Sequence, residues 1–124
     1  MENIKKAKNP PQSQDALDGL PHGEGLRFLD RLIQLEPGVS GKAEWDVRED
    51  LPFFPGHFPG NPLVPGVIMI EAVAQLAGVV ASTLPENSAG FLLTAVRSVK
   101  ISGTTSPGSI LLVSTEIKGS LGVV

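Results

Sequence analysis

His57 and Glu71 are the side chains of this chain best placed for chemistry, and the backbone at Gly66 lies between them. His57 stands between Gly56 and Phe58-Pro59, in a run crowded with proline and glycine. A histidine is the commonest general base near neutral pH, because its unperturbed pKa is about 6.5. A proline-braced loop would fix such a base in position; a half-buried histidine with a backbone hydrogen bond is the plain alternative. Glu71 falls among Val67, Ile68, Met69, Ile70, Ala72 and Val73. An ionised carboxylate is disfavoured in apolar surroundings, so it must be paired, hydrogen-bonded or protonated. A protonated one can give its proton to a leaving group. Gln75, one helical turn on, could orient it. The alternative is a glutamate that emerges at a solvent-filled gap or a dimer seam. Backbone N–H groups at Gly66 and Val67 would sit at the positive end of a helix, where a carbonyl oxygen can take on negative charge. Base, acid and oxyanion donor together suit proton abstraction beside a carbonyl with loss of a hydroxyl from the neighbouring carbon. Their spacing does not name the substrate.

Several elements must position these groups. Five of the eleven prolines (Pro52, Pro55, Pro59, Pro62, Pro65) fall within residues 52–66, with Gly56, Gly60 and Gly66 among them. Proline fixes φ and glycine permits positive φ, so this loop is expected to follow one path. Phe53, Phe54 and Phe58 also lie here, which predicts that part of the loop is buried. Pro65-Gly66 opens a helix over Val67 to Ala81 that is apolar around nearly its whole circumference, the pattern of a helix covered on all sides. Leu84-Pro85-Glu86-Asn87 ends it. Before the loop, Val39 to Val47 alternates, with Val39, Gly41, Ala43, Trp45 and Val47 on one face, as in a half-buried antiparallel strand. Pro37-Gly38 forms the preceding turn. Leu26 to Leu35 fits strand and short helix equally, since its apolar residues fall at both spacings. Phe91 to Ile101 and Ser109 to Lys118 read as strands joined by a turn at Pro107-Gly108. The expected class is α+β: one long helix wrapped by an antiparallel sheet. Residues 1–18, polar and proline-containing, read as a flexible arm, and residues 19–124 as the single domain.

Composition excludes several functions. The 124 residues carry a net charge of −3, and beyond the first eight residues Lys and Arg are scattered. A nucleic-acid surface needs a clustered basic patch. With no cysteine and only His22 and His57 as histidines, neither thiol chemistry nor a zinc site is expected. The polar N-terminus has no apolar core of a secretory signal. The longest apolar stretch, interrupted by Glu71 and Gln75, falls short of the ~20 residues of a bilayer span. A cytoplasmic protein is expected.

The stretch GHFPGNPLVPGVIMIEAVAQLAG, residues 56–78, resembles the signature of the 3-hydroxyacyl-acyl-carrier-protein dehydratases of the FabZ type. Upstream, Leu20-Pro21-His22 followed by Leu29-Asp30-Arg31 is similar to that family's N-terminal motif. The resemblance covers roughly residues 20 to 118 and implies a hotdog fold. It implies that His57 takes the α-proton of a (3R)-3-hydroxyacyl thioester. Glu71, reaching in from the other subunit, would handle the departing hydroxyl, and the Gly66 N–H would bind the thioester carbonyl. Val67 would join Gly66 in binding the carbonyl, and Gln75, Phe58 and Pro65 would support the site. It further implies an acyl-carrier protein as partner, a homodimer or trimer of dimers, and no cofactor or metal. Relatives that also isomerise the product usually carry Asp at the helix position, so Glu71 favours dehydration alone. On the same resemblance, His22 is expected to be structural.

The chain departs from the family at four places. Gly23-Glu24-Gly25-Leu26 stands where Arg-Tyr-Pro-Phe is usual, and the chain has no tyrosine. Ser102-Gly103 replaces a basic pair, and Pro107-Gly108-Ser109 replaces Pro-Gly-Asp. Relatives also continue for one or two further strands, so the fold's last strand or strands are expected to be missing here. The alternatives to a dehydratase are a hotdog thioesterase, which would not need His57 in a braced loop, and a non-catalytic acyl-binding domain. A MaoC-type hydratase would place its acid before the histidine, not after it.

Overall fold

The computed structural model describes residues 16–84 and 91–119. Three strands form one antiparallel sheet in the order β1 (Arg31–Glu36), β2 (Ser40–Asp46), β3 (Ile110–Glu116), and a single long helix, α1 (Gly66–Ser82), packs against β2 and β3. The architecture is the α+β class expected from the sequence. The segment that fits strand and helix equally resolves into a short 3-10 turn, Glu24–Leu26, followed by β1. β1 is itself irregular: Leu32 pairs with Ala43 and Gln34 with Lys42, leaving Ile33 as a bulge.

β2 owes its place at the centre to its alternation. Gly41, Ala43 and Trp45 are buried along one face, continued by Val47, while Val39 is exposed at the preceding turn. Trp45 is 0% exposed and meets Phe28 edge-on, with ring centroids 5.1 Å apart. Its indole N–H has no acceptor among the described residues. An unmade buried hydrogen bond costs about 1–3 kcal/mol. Burying an indole removes roughly 150–250 Å² from water, worth about 4–6 kcal/mol, so the ring's burial outweighs the orphaned donor.

Gly41 and Ala43 are small because the helix lies directly over them. A Cβ at residue 41 would lie 2.7 Å from Val80 Cγ2 and 3.4 Å from Leu76 Cδ1. Val80 is fully buried and β-branched, with little room to turn away. Gly41→Ala is therefore expected to destabilise the fold by about 1–3 kcal/mol, read from the denaturant midpoint at unchanged m-value.

The helix ends are tied to the sheet. Gly38, at φ +73°, donates its N–H to Val80 O and Thr83 Oγ1, which joins the β1–β2 turn to the C-terminus of α1. At β1, Arg31 grips Glu44 (3.0 Å) and both oxygens of Asp46 (2.8 and 2.6 Å). Hydrogen bonds from this guanidinium hold the Asp46 carboxyl below the usual carboxylate range. Asp30 Oδ2 accepts the Asp46 N–H at 2.7 Å. These bonds fix where the chain enters the sheet.

One expectation is corrected, that Phe91 to Ile101 forms a strand, and the cover expected for the helix is only partly supplied by this protomer. The helix is not covered on all sides in the protomer: Ala72, Gln75, Leu76, Val79 and Val80 form the buried stripe, at helical spacing. The opposite face, with Met69, Ile70 and Val73, lines an open groove of about 680 Å³. Phe91 to Ile101 is not a strand. It runs exposed and without a ladder along the far wall of that groove, Phe91 beside Gly78 and Ile101 beside Gly66. Its apolar residues suit a sheet, but a strand exists only where a neighbour accepts and donates along its backbone. No neighbouring strand flanks it among the described residues. Residues 1–15 of the expected arm lie outside the described residues. Leu17 is 1% exposed in the core and its carbonyl accepts from Arg27, so folded structure begins ahead of residue 19. Residues 120–124 also lie outside the described residues.

Candidate active site

The loop between β2 and α1 is held by its own backbone. Phe54 N–H donates to Leu51 O, Gly56 N–H to Phe53 O and His57 N–H to Phe54 O, each at 3.2 Å. Phe58 and Asn61 exchange N–H to carbonyl bonds of 3.0 and 2.8 Å, with Gly60 at φ +75° closing the turn. Leu51 and Phe54 are buried beneath it, and Phe53 meets Phe54 edge-on. Val64 N–H donates to Thr105 O at 2.8 Å, joining the end of the loop to the far wall of the groove.

Leu63 clamps His57 twice. Its N–H donates to His57 O at 2.8 Å, and its carbonyl lies 3.0 Å from His57 Nδ1. A carbonyl only accepts, so Nδ1 carries the proton and Nε2 is left with a free lone pair. Nε2 has no partner among the described residues. The Phe58 ring stacks on the imidazole at 4.1 Å, so the ring is fixed in plane as well as in tautomer. The His57–Phe58 peptide is cis.

Pro65 precedes the first turn of α1, and its carbonyl accepts the N–H groups of Ile68 and Met69 at 2.9 and 3.3 Å. The N–H groups of Gly66 and Val67 have no acceptor among the described residues and point to the positive end of the helix. Ile101 lies so close over Gly66 that a Cβ there would stand 2.5 Å from its Cδ1. A side chain at residue 66 would have to push the exposed end of Ile101 aside.

Glu71 is half-buried and hydrogen-bonded. Gln75 Nε2 donates to its Oε2 at 2.9 Å, and His22 Nε2 lies 3.1 Å from the same oxygen. Gln75 is only 2% exposed, and its remaining bonds are complete: Nε2 also donates to Leu26 O at 2.6 Å, and Oε1 accepts the Phe28 N–H at 3.0 Å. Of the three ways to keep a carboxyl on an apolar helix, the structure shows hydrogen bonding, with Gln75 and His22 both at Oε2.

Within the protomer, Gly66 and Val67 open the helix that carries Glu71 and Gln75, directly after the loop that carries His57. His57 and Glu71 share no hydrogen bond. The groove reaches Gly66 but is lined by neither His57 nor Glu71. Sequence reasoning left His22 out of the site. The one signal was the Leu20-Pro21-His22 motif, whose position over the helix is set by the fold. Among the described residues no group of three or more His, Asp or Glu is spaced to hold a metal ion, and no helix is long and apolar enough to cross a membrane.

A family model for the FabA-like domain matches residues 20–122. The 3-hydroxyacyl-acyl-carrier-protein dehydratase FabZ of Chloroflexus aggregans is 36% identical over 106 residues, covering 85% of this chain and 74% of that protein. The FabZ proteins of Natranaerobius thermophilus and Syntrophomonas wolfei are each 39% identical, covering 83% and 89% of this chain and 75% and 79% of their own lengths. A domain match from the Leu20-Pro21-His22 motif past β3, with relatives of one name across it, places the chain in the FabA-like family, on its FabZ branch.

Proposed function

We propose that the chain dehydrates (3R)-3-hydroxyacyl thioesters carried on acyl-carrier protein to trans-2-enoyl thioesters, as part of fatty acid synthesis in the cytoplasm. The observation that carries this reading is how His57 is held: Leu63 O holds Nδ1–H, which leaves Nε2, without a partner among the described residues, free to act as a base. In the reaction, Nε2 takes the proton from the carbon next to the thioester carbonyl. Negative charge moves onto the carbonyl oxygen, where the Gly66 and Val67 N–H groups can receive it. Glu71 gives its proton to the hydroxyl on the next carbon, which leaves as water while the carbon–carbon double bond forms. His57 ends protonated and Glu71 ionised, and solvent returns both to their starting states. The apolar groove beyond Gly66 suits the acyl tail.

The working unit in this reading is a homodimer, or a trimer of dimers, in which each site takes His57 from one subunit and Glu71 from the other. What supports it is that His57 and Glu71 share no hydrogen bond within the protomer.

The test is the reverse reaction, hydration of crotonyl thioester on acyl-carrier protein and on coenzyme A, followed by loss of enoyl absorbance with free thiol measured in parallel. Loss of absorbance without thiol release is the expected result, faster on the protein carrier. Thiol release would identify a thioesterase. Binding without either signal would identify an acyl-binding domain.

A further inference from the structure

Glu71 has a second hydrogen-bond partner that the reaction above does not use. His22 reaches it from the segment before β1, placing Nε2 3.1 Å from Oε2. The other imidazole nitrogen, Nδ1, is buried and has no partner among the described residues. Those two facts fix the tautomer. With its proton on Nε2, His22 donates to the carboxyl and leaves only a bare acceptor buried. With its proton on Nδ1, a buried N–H would go unmade and two lone pairs would face each other. His22 therefore donates to Glu71 through Nε2.

The Gln75 bond lands on the same oxygen. Both donors thus occupy Oε2, and Oε1 has no partner among the described residues. A protonated carboxyl accepts best at its carbonyl oxygen, so donors on Oε2 leave the proton on Oε1. Once that proton departs, the same two N–H groups stabilise the carboxylate that remains. Gln75 also bonds Leu26 O and Phe28 N, tying the segment that carries His22 to the helix that carries Glu71. The His22 and Glu71 side chains are partly exposed, at 29% and 30%, so their contact bears more on the aim of the carboxyl than on stability.

We propose that His22 is a positioning residue, which with Gln75 holds Glu71 by Oε2 and turns Oε1 toward the leaving hydroxyl; this rests on the reading of Glu71 as proton donor. The test compares two near-isosteric replacements in the full chain, assayed with crotonyl thioester. His22→Gln puts an amide N–H where Nε2 stood, whereas His22→Asn puts it at the Nδ1 position, short of Glu71. His22→Asn is expected to lower kcat about 10- to 100-fold with KM nearly unchanged, and His22→Gln to recover most of the loss. In a Glu71→Gln background the Asn change should cost nothing further, because its effect passes through the carboxyl. Wild-type rates from both His22 variants, equal losses from both, or a loss that persists in the Glu71→Gln background would each overturn the role of His22 while leaving the dehydratase intact. A fast Glu71→Gln single variant would instead remove the reading of Glu71, and the proposal with it.

Discussion

His57→Ala is expected to lower kcat for thioester hydration by about a thousandfold, within the range that general acid–base groups contribute, and equivalent to about 4 kcal/mol of barrier. The argument lies in how the ring is held. Leu63 O fixes Nδ1–H and Phe58 stacks on one face, so the base meets its substrate already oriented. The fold should survive. The loop keeps its backbone bonds from Phe54, Asn61, Leu63 and Val64, and its buried anchors are Leu51 and Phe54, not His57. The Nδ1 bond, about 0.5–1.5 kcal/mol, and the stack on the exposed Phe58 ring are lost, and the carbonyl partner can be reached by water. Kinetics run beside a thermal melt separate the two effects. A variant that melts normally and turns over normally would show that His57 is a loop brace and nothing more.

How far the sequence reached depends on whether an element is defined by itself or by its neighbours. β2 was legible because its alternation is a consequence of its own position: one face on the core, with Gly41 and Ala43 small and Trp45 large. The loop was legible because proline and glycine restrict the chain wherever they stand. Leu26 to Leu35 was not, since a 3-10 turn and a strand with a bulge at Ile33 blur both periods. Phe91 to Ile101 carries strand-forming residues, yet its pairing depends on a neighbouring strand, about which its own residues say nothing. The helix misled in a similar way. Its apolar circumference announced burial, but only the stripe from Ala72 to Val80 is covered by this protomer's sheet. Within the candidate site, Glu71 and Gln75 could be paired from their spacing alone. His22 is 49 residues from Glu71, and β1, the Asp30–Arg31 bonds and the Gln75 clamp must all form before the two meet. A backbone clamp such as Leu63 leaves no side-chain signature at all.

Glu71→Gln should lower kcat by about a hundredfold or more, since the amide cannot deliver a proton to the leaving hydroxyl. KM and the melting temperature should change little, because the amide keeps the size of the side chain it replaces. The more decisive use of this variant is in mixture with His57→Ala. If each site draws His57 from one subunit and Glu71 from the other, a mixed dimer contains one site with both residues intact and one with neither. Random exchange makes about half of all dimers mixed, so about a quarter of wild-type activity should return from two nearly inactive proteins. If each site were built within one subunit, every site in the mixture would lack one residue and nothing would return. Activity should therefore rise with the extent of subunit exchange, followed by separating differently tagged dimers. A mixture in which mixed dimers are present and turnover stays at the level of the parents would mean that each site takes His57 and Glu71 from one chain, not from a second copy.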